Sequence, residues 1–327
     1  MYLLTHTSTD CFFNLACEEY FVKNSQEDVI LLWQNDNTIV VGKNQNTLEE
    51  INHPYVTEHN ISVVRRMTGG GAVYHDLGNV NFSIIQTTEK EHFNDYAYFT
   101  QPVCLFLQTL GLHVQLSGRN DLTLCGMKFS GNAQACFGNR LLHHGTILFD
   151  SDIACLSKAL TPNPLKIDSK GIKSVRSRVT NLKSSLSDDI TVTAFIKSLT
   201  SYLLHSIPNL QEHHLTPEET AAIQSLADKK YRTWEWNYGS SPPFTLSKSG
   251  KYPFGIVTLH LYIESGQLRT LKIYGDFFGK KETENLERIL QHTVFRYETI
   301  LKTLELISVS DYIEGMDNLE FCDLLFH

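Results

Sequence analysis

The run Arg65-Arg66-Met67-Thr68-Gly69-Gly70-Gly71-Ala72-Val73-Tyr74-His75-Asp76-Leu77-Gly78-Asn79 decides how this chain reads. Three consecutive glycines let the backbone approach a ligand closely and offer successive N–H groups to an anion. The two arginines beside them supply forked donors suited to phosphate. The plainer reading is a β-bulge or tight hairpin carrying a surface arginine pair. The spacing does not fit G-x-x-x-x-G-K-[ST], and Tyr74 stands where G-x-G-x-x-G needs its last glycine, which disfavours a Walker kinase and a Rossmann dehydrogenase.

Outward from this run, residues 61–64 and 80–85 read as strands, so the grammar is mostly antiparallel. On the N-terminal side, Asp10 caps a helix whose apolar stripe is Phe13, Ala16, Cys17 and Tyr20. Residues 29–33 and 38–41 are β-rich and separated by Asn35-Asp36-Asn37, which predicts a hairpin. On the C-terminal side a helix is expected over 94–110, strands over 122–149 and a helix over 151–160. Helices follow over 191–207 and from the capping box Thr216-Pro217-Glu218-Glu219 to about Tyr231. The Pro, Ser and Gly of residues 239–243 mark a linker, and beyond it comes a hairpin around Ser265-Gly266, then helices. The expected architecture is α+β, a mixed or antiparallel sheet with flanking helices. Residues 1–245 form a large domain and 246–327 a small α+β module.

The 327 residues, 42% hydrophobic and 20% charged, belong to a globular chain long enough to bury a core without staples. Its apolar runs are too short for a membrane span, and its first 20 residues lack the basic start of a signal peptide, so the expected location is cytoplasmic. Seven cysteines, an odd number without C-x-x-C, read as buried thiols of a reducing compartment. The net charge of −8 opposes a general nucleic-acid role. That charge is unevenly spread: residues 1–64 hold two basic and nine acidic side chains, whereas 158–183 holds seven basic residues and the single acid Asp168. A solvated surface segment and a loop that meets phosphate are both open for it.

Two more segments carry candidate chemistry. In Gly118-Arg119-Asn120-Asp121-Leu122 and Gly126-Met127-Lys128-Phe129-Ser130-Gly131-Asn132-Ala133, a lysine among small residues reaches into a cleft as a point charge, and Asp121 is a ligand for a hard cation. In His143-His144-Gly145-Thr146 the adjacent histidines of a strand point to opposite faces, so they do not share a metal.

Taken together, residues 65–83, 118–133, 143–148 and 169–181 resemble the lipoate–protein ligase family, and residues 236–244 and the C-terminal module extend the likeness to nearly the whole chain. The resemblance implies the biotin/lipoyl ligase fold, related to class II aminoacyl-tRNA synthetases, with a small C-terminal accessory domain. It implies two steps, in which ATP and lipoate give lipoyl-AMP and pyrophosphate, and the lipoyl group then passes to a lysine of lipoyl-domain proteins such as E2 subunits of 2-oxoacid dehydrogenases and the glycine cleavage H protein. Mg²⁺ accompanies ATP, and the enzyme is expected to act as a monomer. Lys128 matches the lysine that touches both ATP and the lipoyl carbonyl. Arg66, Gly71, Ala72, Val73 and Tyr74 match ATP-contacting positions, with Asn79 as a phosphate candidate and Asp121 as the metal candidate. Gly71, Val73, His75, Lys128 and Gly145 are expected along the lipoate, and Lys173, Arg176 and Arg178 in the adenylate-binding loop.

Two other functions fit the same residues. A lipoyl or octanoyl amidotransferase of the same fold forms a thioester on a cysteine, for which Cys125, Cys136 and Cys155 are the candidates. A lipoyl-domain binder without turnover is the other, and Met127, where relatives often carry a basic residue, is the departure that raises it.

Overall fold

The structure is a computed structural model and describes residues 1–88, 92–118, 120–160, 179–241, 244–275 and 277–326. Two compact units divide the chain: Met1–Gln45 with Glu50–Thr233, and Asn46–Glu49 with Trp234–His327. Within the second unit the Trp234 indole lies so close to Gly266 that a Cβ there would stand 2.6 Å from the ring. Thr47 joins the second unit by donating its hydroxyl to the Asn237 carbonyl at 2.6 Å.

In the first unit an eight-stranded sheet runs β11 (Gln211–His213), β1 (Tyr2–Thr5), β2 (Val29–Trp33), β6 (Asn79–Thr87), β10 (Arg140–Leu148), β9 (Met127–Phe137), β8 (Asp121–Leu124) and β7 (Val114–Ser117). A second sheet places β3 (Thr38–Val41) between β4 (Ser62–Arg65), parallel to it, and β5 (Val73–His75), antiparallel. The hairpin expected from residues 29–41 does not form. Both edges of β2 are taken, by β1 and β6, and Asn35 is buried with its amide bonded to Asn14 and His75, so the turn carries the chain from one sheet to the other.

Strand alternation gives the large sheet two different faces. Ile30 and Leu32 of β2 and Val80, Phe82 and Ile84 of β6 join the core, packed with α4 (Tyr96–Thr109) and α6 (Val192–Ser206). Their neighbours Trp33, Asn79, Asn81 and Ser83 face the opposite way, toward α1 (Cys11–Asn24). Between these elements lie the short helices α2 (Thr47–Glu50), α3 (His53–Glu58) and α5 (Ile153–Ala159).

Asp10 caps α1 by accepting from Phe12 N at 3.0 Å. Ten of the helix's fourteen residues are buried, Glu18 and Glu19 among them. Glu19 accepts from Lys23, Lys230 and the Tyr231 hydroxyl, each at 2.6 Å. Burial alone raises its carboxyl pKa, but these three donors outweigh it and hold it below the usual 4.5. Lys230 and Tyr231 sit in a π-helical turn, Ala227–Tyr231, that continues α7 (Pro217–Leu226), whose capping box at Thr216 and Glu219 forms as expected. Replacing Glu19 by Ala is expected to cost about 3 kcal/mol. Because the folded-state pKa is depressed, this stabilisation is present above about pH 4.5 and is lost as pH falls through the lower folded value. Urea unfolding of wild type and Glu19→Ala at pH 7 and pH 3 measures it; a gap between them that persists undiminished at pH 3 counts against the ionic account.

The second unit has one antiparallel sheet, β12 (Phe244–Tyr252), β13 (Gly255–Glu264) and β14 (Gln267–Gly275). Val257, Leu259, Leu261 and Ile263 alternate inward against α8 (Thr283–Leu290), α9 (Tyr297–Leu304) and α10 (Asn318–Phe326). No helix among the described residues is long and apolar enough to cross a membrane.

Candidate active site

The non-core face of the large sheet carries a row of paired residues. Trp33 on β2 stands opposite Asn81 on β6, and Asn81 opposite Thr146 on β10. The Thr146 hydroxyl accepts from Gly131 N on β9 at 3.2 Å, and Gly131 stands opposite Asp121 on β8. These five residues floor a cavity of about 310 Å³, which Leu15 of α1, Val40, Val73 and His75 of the smaller sheet and the run Gly70–Gly71–Ala72 enclose.

The two ends of this row differ chemically. At the β8 end the Lys128 ammonium donates to Asp121 Oδ1 at 2.8 Å. It lies across Gly131, where a Cβ would stand 2.9 Å from Nζ, so the glycine makes room for the cation. Main-chain bonds hold Lys128 from the other side: Thr180 N donates to its carbonyl at 2.9 Å and Val179 bridges to it in parallel. At the β2 end the wall is the Trp33 indole, with His75 at 6.2 Å between ring centroids.

Arg66 shapes the glycine run. Its Nε donates to Thr68 Oγ1, one terminal nitrogen to the Val40 carbonyl, and the other to the carbonyls of Gly69 and Gly71 at 2.7 and 2.9 Å. With these carbonyls turned toward the guanidinium, the loop is held at Thr68, Gly69 and Gly71 and tied to β3 through Val40. Gly70 adopts φ +96°, which L side chains rarely do, and its carbonyl lies where a Cβ on Gly42 would be only 2.1 Å away. Arg65, one residue earlier on a strand, points the opposite way and donates to the carbonyls of Gly42, Lys43 and Gln45. Burial pushes both guanidinium groups down to about 10, with Glu18 opposing the shift at Arg66, and both remain cationic at neutral pH.

A buried polar chain runs beneath the run. Trp33 Nε1 donates to Ser83 Oγ, Ser83 Oγ to Glu18 Oε1 at 2.6 Å, and His144 Nδ1 lies 2.9 Å from the same oxygen. With Nδ1–H directed at Glu18, the other ring nitrogen, Nε2, lies 2.7 Å from the Thr68 hydroxyl. The chain ends on Arg66 and thereby links the cavity wall to the glycine run. His143, on the other face of β10, stacks on Phe99 in the core, and burial first, then His144, pushes it down to about 3.

Of the residues singled out in the sequence, Arg66, Gly71, Ala72, Val73, His75, Asp121, Lys128 and Gly145 all line this cavity. Gly145 does so with its main chain, because a Cβ would point coreward, 2.6 Å from the Phe82 ring. Tyr74 and Asn79 are buried outside the lining: the Tyr74 hydroxyl donates to Asn37 and the Asn79 amide to Asn81. Lys173, Arg176 and Arg178 lie outside the described residues. The cysteines correct the expectation of seven buried thiols. All are free, but only Cys11, Cys17 and Cys322 are buried, Cys125 and Cys136 are exposed, and none lines the cavity. Sequence reasoning missed Glu18, Trp33, Thr68 and Asn81 as part of this arrangement. Only Glu18 carried a signal, as one of two adjacent acids in a helix most of whose other residues are apolar.

No cluster of three or more His, Cys, Asp or Glu that could hold a metal occurs among the described residues. Asp121 is the one carboxylate in the lining, and its described partner is Lys128. One carboxylate fits Mg²⁺ only as an ion that arrives on substrate phosphates and keeps its waters.

The family model described as the lipoyl protein ligase A/B catalytic domain matches residues 10–204, and that of the bacterial lipoate protein ligase C-terminus matches residues 241–325. The chain belongs to the lipoate–protein ligase family. A lipoate–protein ligase of Bacillus subtilis is 42% identical to this ligase over 317 residues, 96% of either chain. A chain from the structure of a bipartite lipoate–protein ligase and its E2 lipoyl domain from Thermoplasma acidophilum superposes with a TM-score of 0.65 at 28% identity, over 73% of this chain and 96% of that one. A lipoate–protein ligase A bound with ATP superposes at 0.63 and 27% identity, over 73% and 98%. The expected biotin/lipoyl ligase fold with a small C-terminal unit is therefore the fold of this ligase.

Proposed function

We propose that the protein activates free lipoate with ATP and transfers the lipoyl group to a lysine of lipoyl domains, including those of E2 subunits and the H protein. The observation that carries this reading is the placing of Lys128 and the arginine-pinned glycine run on one cavity whose floor continues to Trp33. A carboxylate beside Lys128 and a chain laid toward Trp33 match the polarity of that row. In the first step a lipoate carboxylate oxygen attacks the α-phosphorus and pyrophosphate leaves. Lys128 and the N–H groups of Gly71, Ala72 and Val73 stabilise the charge that develops. Asp121 would be the carboxylate that meets a Mg²⁺ carried on the ATP phosphates, where the ion would offset phosphate charge. Tyr74 and Asn79 serve the ATP site by supporting its walls.

In the second step the acceptor amine attacks the acyl carbon, AMP leaves and the amine loses a proton. The mixed anhydride is already activated, so positioning supplies the rate. Lys173, Arg176 and Arg178 are assigned to the adenylate phosphate. The pairing of Val179 and Thr180 with Lys128 supports this, because the basic segment ends beside the candidate catalytic cation. In this reading residues 1–245 carry adenylation, 246–327 form the accessory domain, and the enzyme works as a cytoplasmic monomer.

Purified protein given lipoate and MgATP without any acceptor is expected to form lipoyl-AMP, detected by mass spectrometry. The triple variant Cys125→Ser, Cys136→Ser, Cys155→Ser is expected to keep at least half of that rate. Lipoyl transfer without ATP, or a thioester on Cys155 in place of the adenylate, would falsify the ligase reading in favour of the amidotransferase.

A further inference from the structure

The Trp33 end of the cavity holds two hydrogen-bond donors, on His75 and Asn81, with no acceptor among the described residues. Asn81 Oδ1 accepts from Asn79 Nδ2 at 2.9 Å, and in that arrangement Asn81 Nδ2 has no partner among the described residues. For His75 the tautomer follows from a chain of amides anchored on main-chain oxygens. Asn14 Nδ2 donates to the carbonyls of Ser8 and Gln34, so its orientation is settled. The same nitrogen donates to Asn35 Oδ1 at 2.9 Å, so it is Asn35 Nδ2 that faces His75 Nδ1 at 3.2 Å. Nδ1 therefore accepts, the proton of the neutral ring sits on Nε2, and Nε2 has no partner. His75 and Asn81 are 3% and 1% exposed, and both line the cavity.

A buried donor without an acceptor is a standing cost that a bound ligand can remove. We propose that His75 Nε2–H and Asn81 Nδ2–H make the far end of the cavity an acceptor-selecting site, one that favours medium-chain carboxylic acids with hydrogen-bond-accepting atoms at the tail over bare hydrocarbon chains. The inference rests on the lipoate-activating function above and adds the atoms that separate two acids of equal chain length. Lipoate brings two ring sulfurs to this end; octanoate brings only methylenes and a methyl group, and leaves both donors unpaired. Sites built around hydrogen-bonding groups discriminate in this way because the analogue strands the site's own polar atoms. The discrimination is modest in size because sulfur is a weak acceptor. The Asn14–Asn35–His75 chain, anchored on the carbonyls of Ser8 and Gln34, fixes the His75 donor in direction, and Asn79 holds the Asn81 side chain in place beside it.

Calorimetric titration of the full-length protein with lipoate, octanoate and 8-hydroxyoctanoate tests this, together with acyl-AMP formation from each acid. Wild type is expected to bind lipoate about 10-fold more tightly than octanoate. His75→Phe and Asn81→Leu are each expected to narrow that ratio to about threefold or less, chiefly by weakening lipoate. An arm that needs no substitution uses the hydroxyl acid, whose oxygen is the stronger acceptor and which wild type is expected to bind at least as tightly as octanoate despite its greater hydration. A lipoate preference that survives intact in the folded variants overturns the assignment, and so does rejection of 8-hydroxyoctanoate by wild type. Those results leave adenylation standing. A wild type that binds neither lipoate nor octanoate and makes no acyl-AMP sinks the ligase reading and this inference with it.

Discussion

Lys128→Ala is expected to lower acyl-adenylate formation by at least about 10²-fold, the effect of removing a donor aimed at charge that develops in the transition state. Stability is expected to change by less than about 1 kcal/mol, because the Lys128–Asp121 pair is partly solvated, each side chain 37% exposed. The separation of the two effects makes the measurement informative. Single-turnover lipoyl-AMP formation from lipoate and MgATP reads the first, and urea unfolding reads the second. Lys128→Arg is expected to recover little activity, since the ammonium fits over Gly131 at a distance that leaves no space for a planar fork. An unchanged rate in Lys128→Ala removes this residue from the chemistry and moves the search for the cation to the basic segment 158–183.

Arg66→Lys is expected to lower adenylate formation by about 10²-fold, without any change in charge. A single ammonium cannot span Thr68, Val40, Gly69 and Gly71, all of which the guanidinium serves at once. The glycine run then loses the restraint that holds the Gly69 and Gly71 carbonyls. Two readouts belong together here: the rate, and hydrogen exchange at the amides of residues 69–72, which is expected to quicken in the variant. A slow enzyme with exchange unchanged would show that Arg66 acts by touching substrate rather than by holding the loop. Wild-type values for both would show that the loop holds its shape unaided.

Much of this site is legible in the residues themselves because it is local. Three glycines next to Arg66, and Lys128 three residues from Gly131, are contiguous patterns, and contiguous patterns survive without knowledge of the fold. Capping and alternation are local too, so α1, α7 and the strands from 121 to 148 lie where they are expected. The hairpin over 29–41 fails for the complementary reason. Turn residues at 35–37 state that the chain bends, while the choice of partners for β2 depends on β1 and β6, which lie 25 or more residues away along the chain. The same holds for Tyr74, which sits between the lining residues Val73 and His75 yet outside the cavity, because a strand sends neighbouring side chains to opposite faces, and for Asn79, which shares the face of Asn81 but lies one pair farther along the strand with its amide spent on Asn81.

By itself the sequence determined the family, the reaction class and the two local devices that chemistry needs, a glycine run beside an arginine and a lysine among small residues. It did so because those devices are built from neighbours. Only the tertiary structure decided what lies between them: the five-strand row from Asp121 to Trp33, the Glu18–His144–Thr68–Arg66 chain under the loop, and the two donors at the far end. These join residues as many as 126 positions apart, as Glu18 and His144 are. Their spacing in the chain carries no trace of a contact that depends on sheet register, on which face each strand buries and on which amide each hydrogen bond has already used.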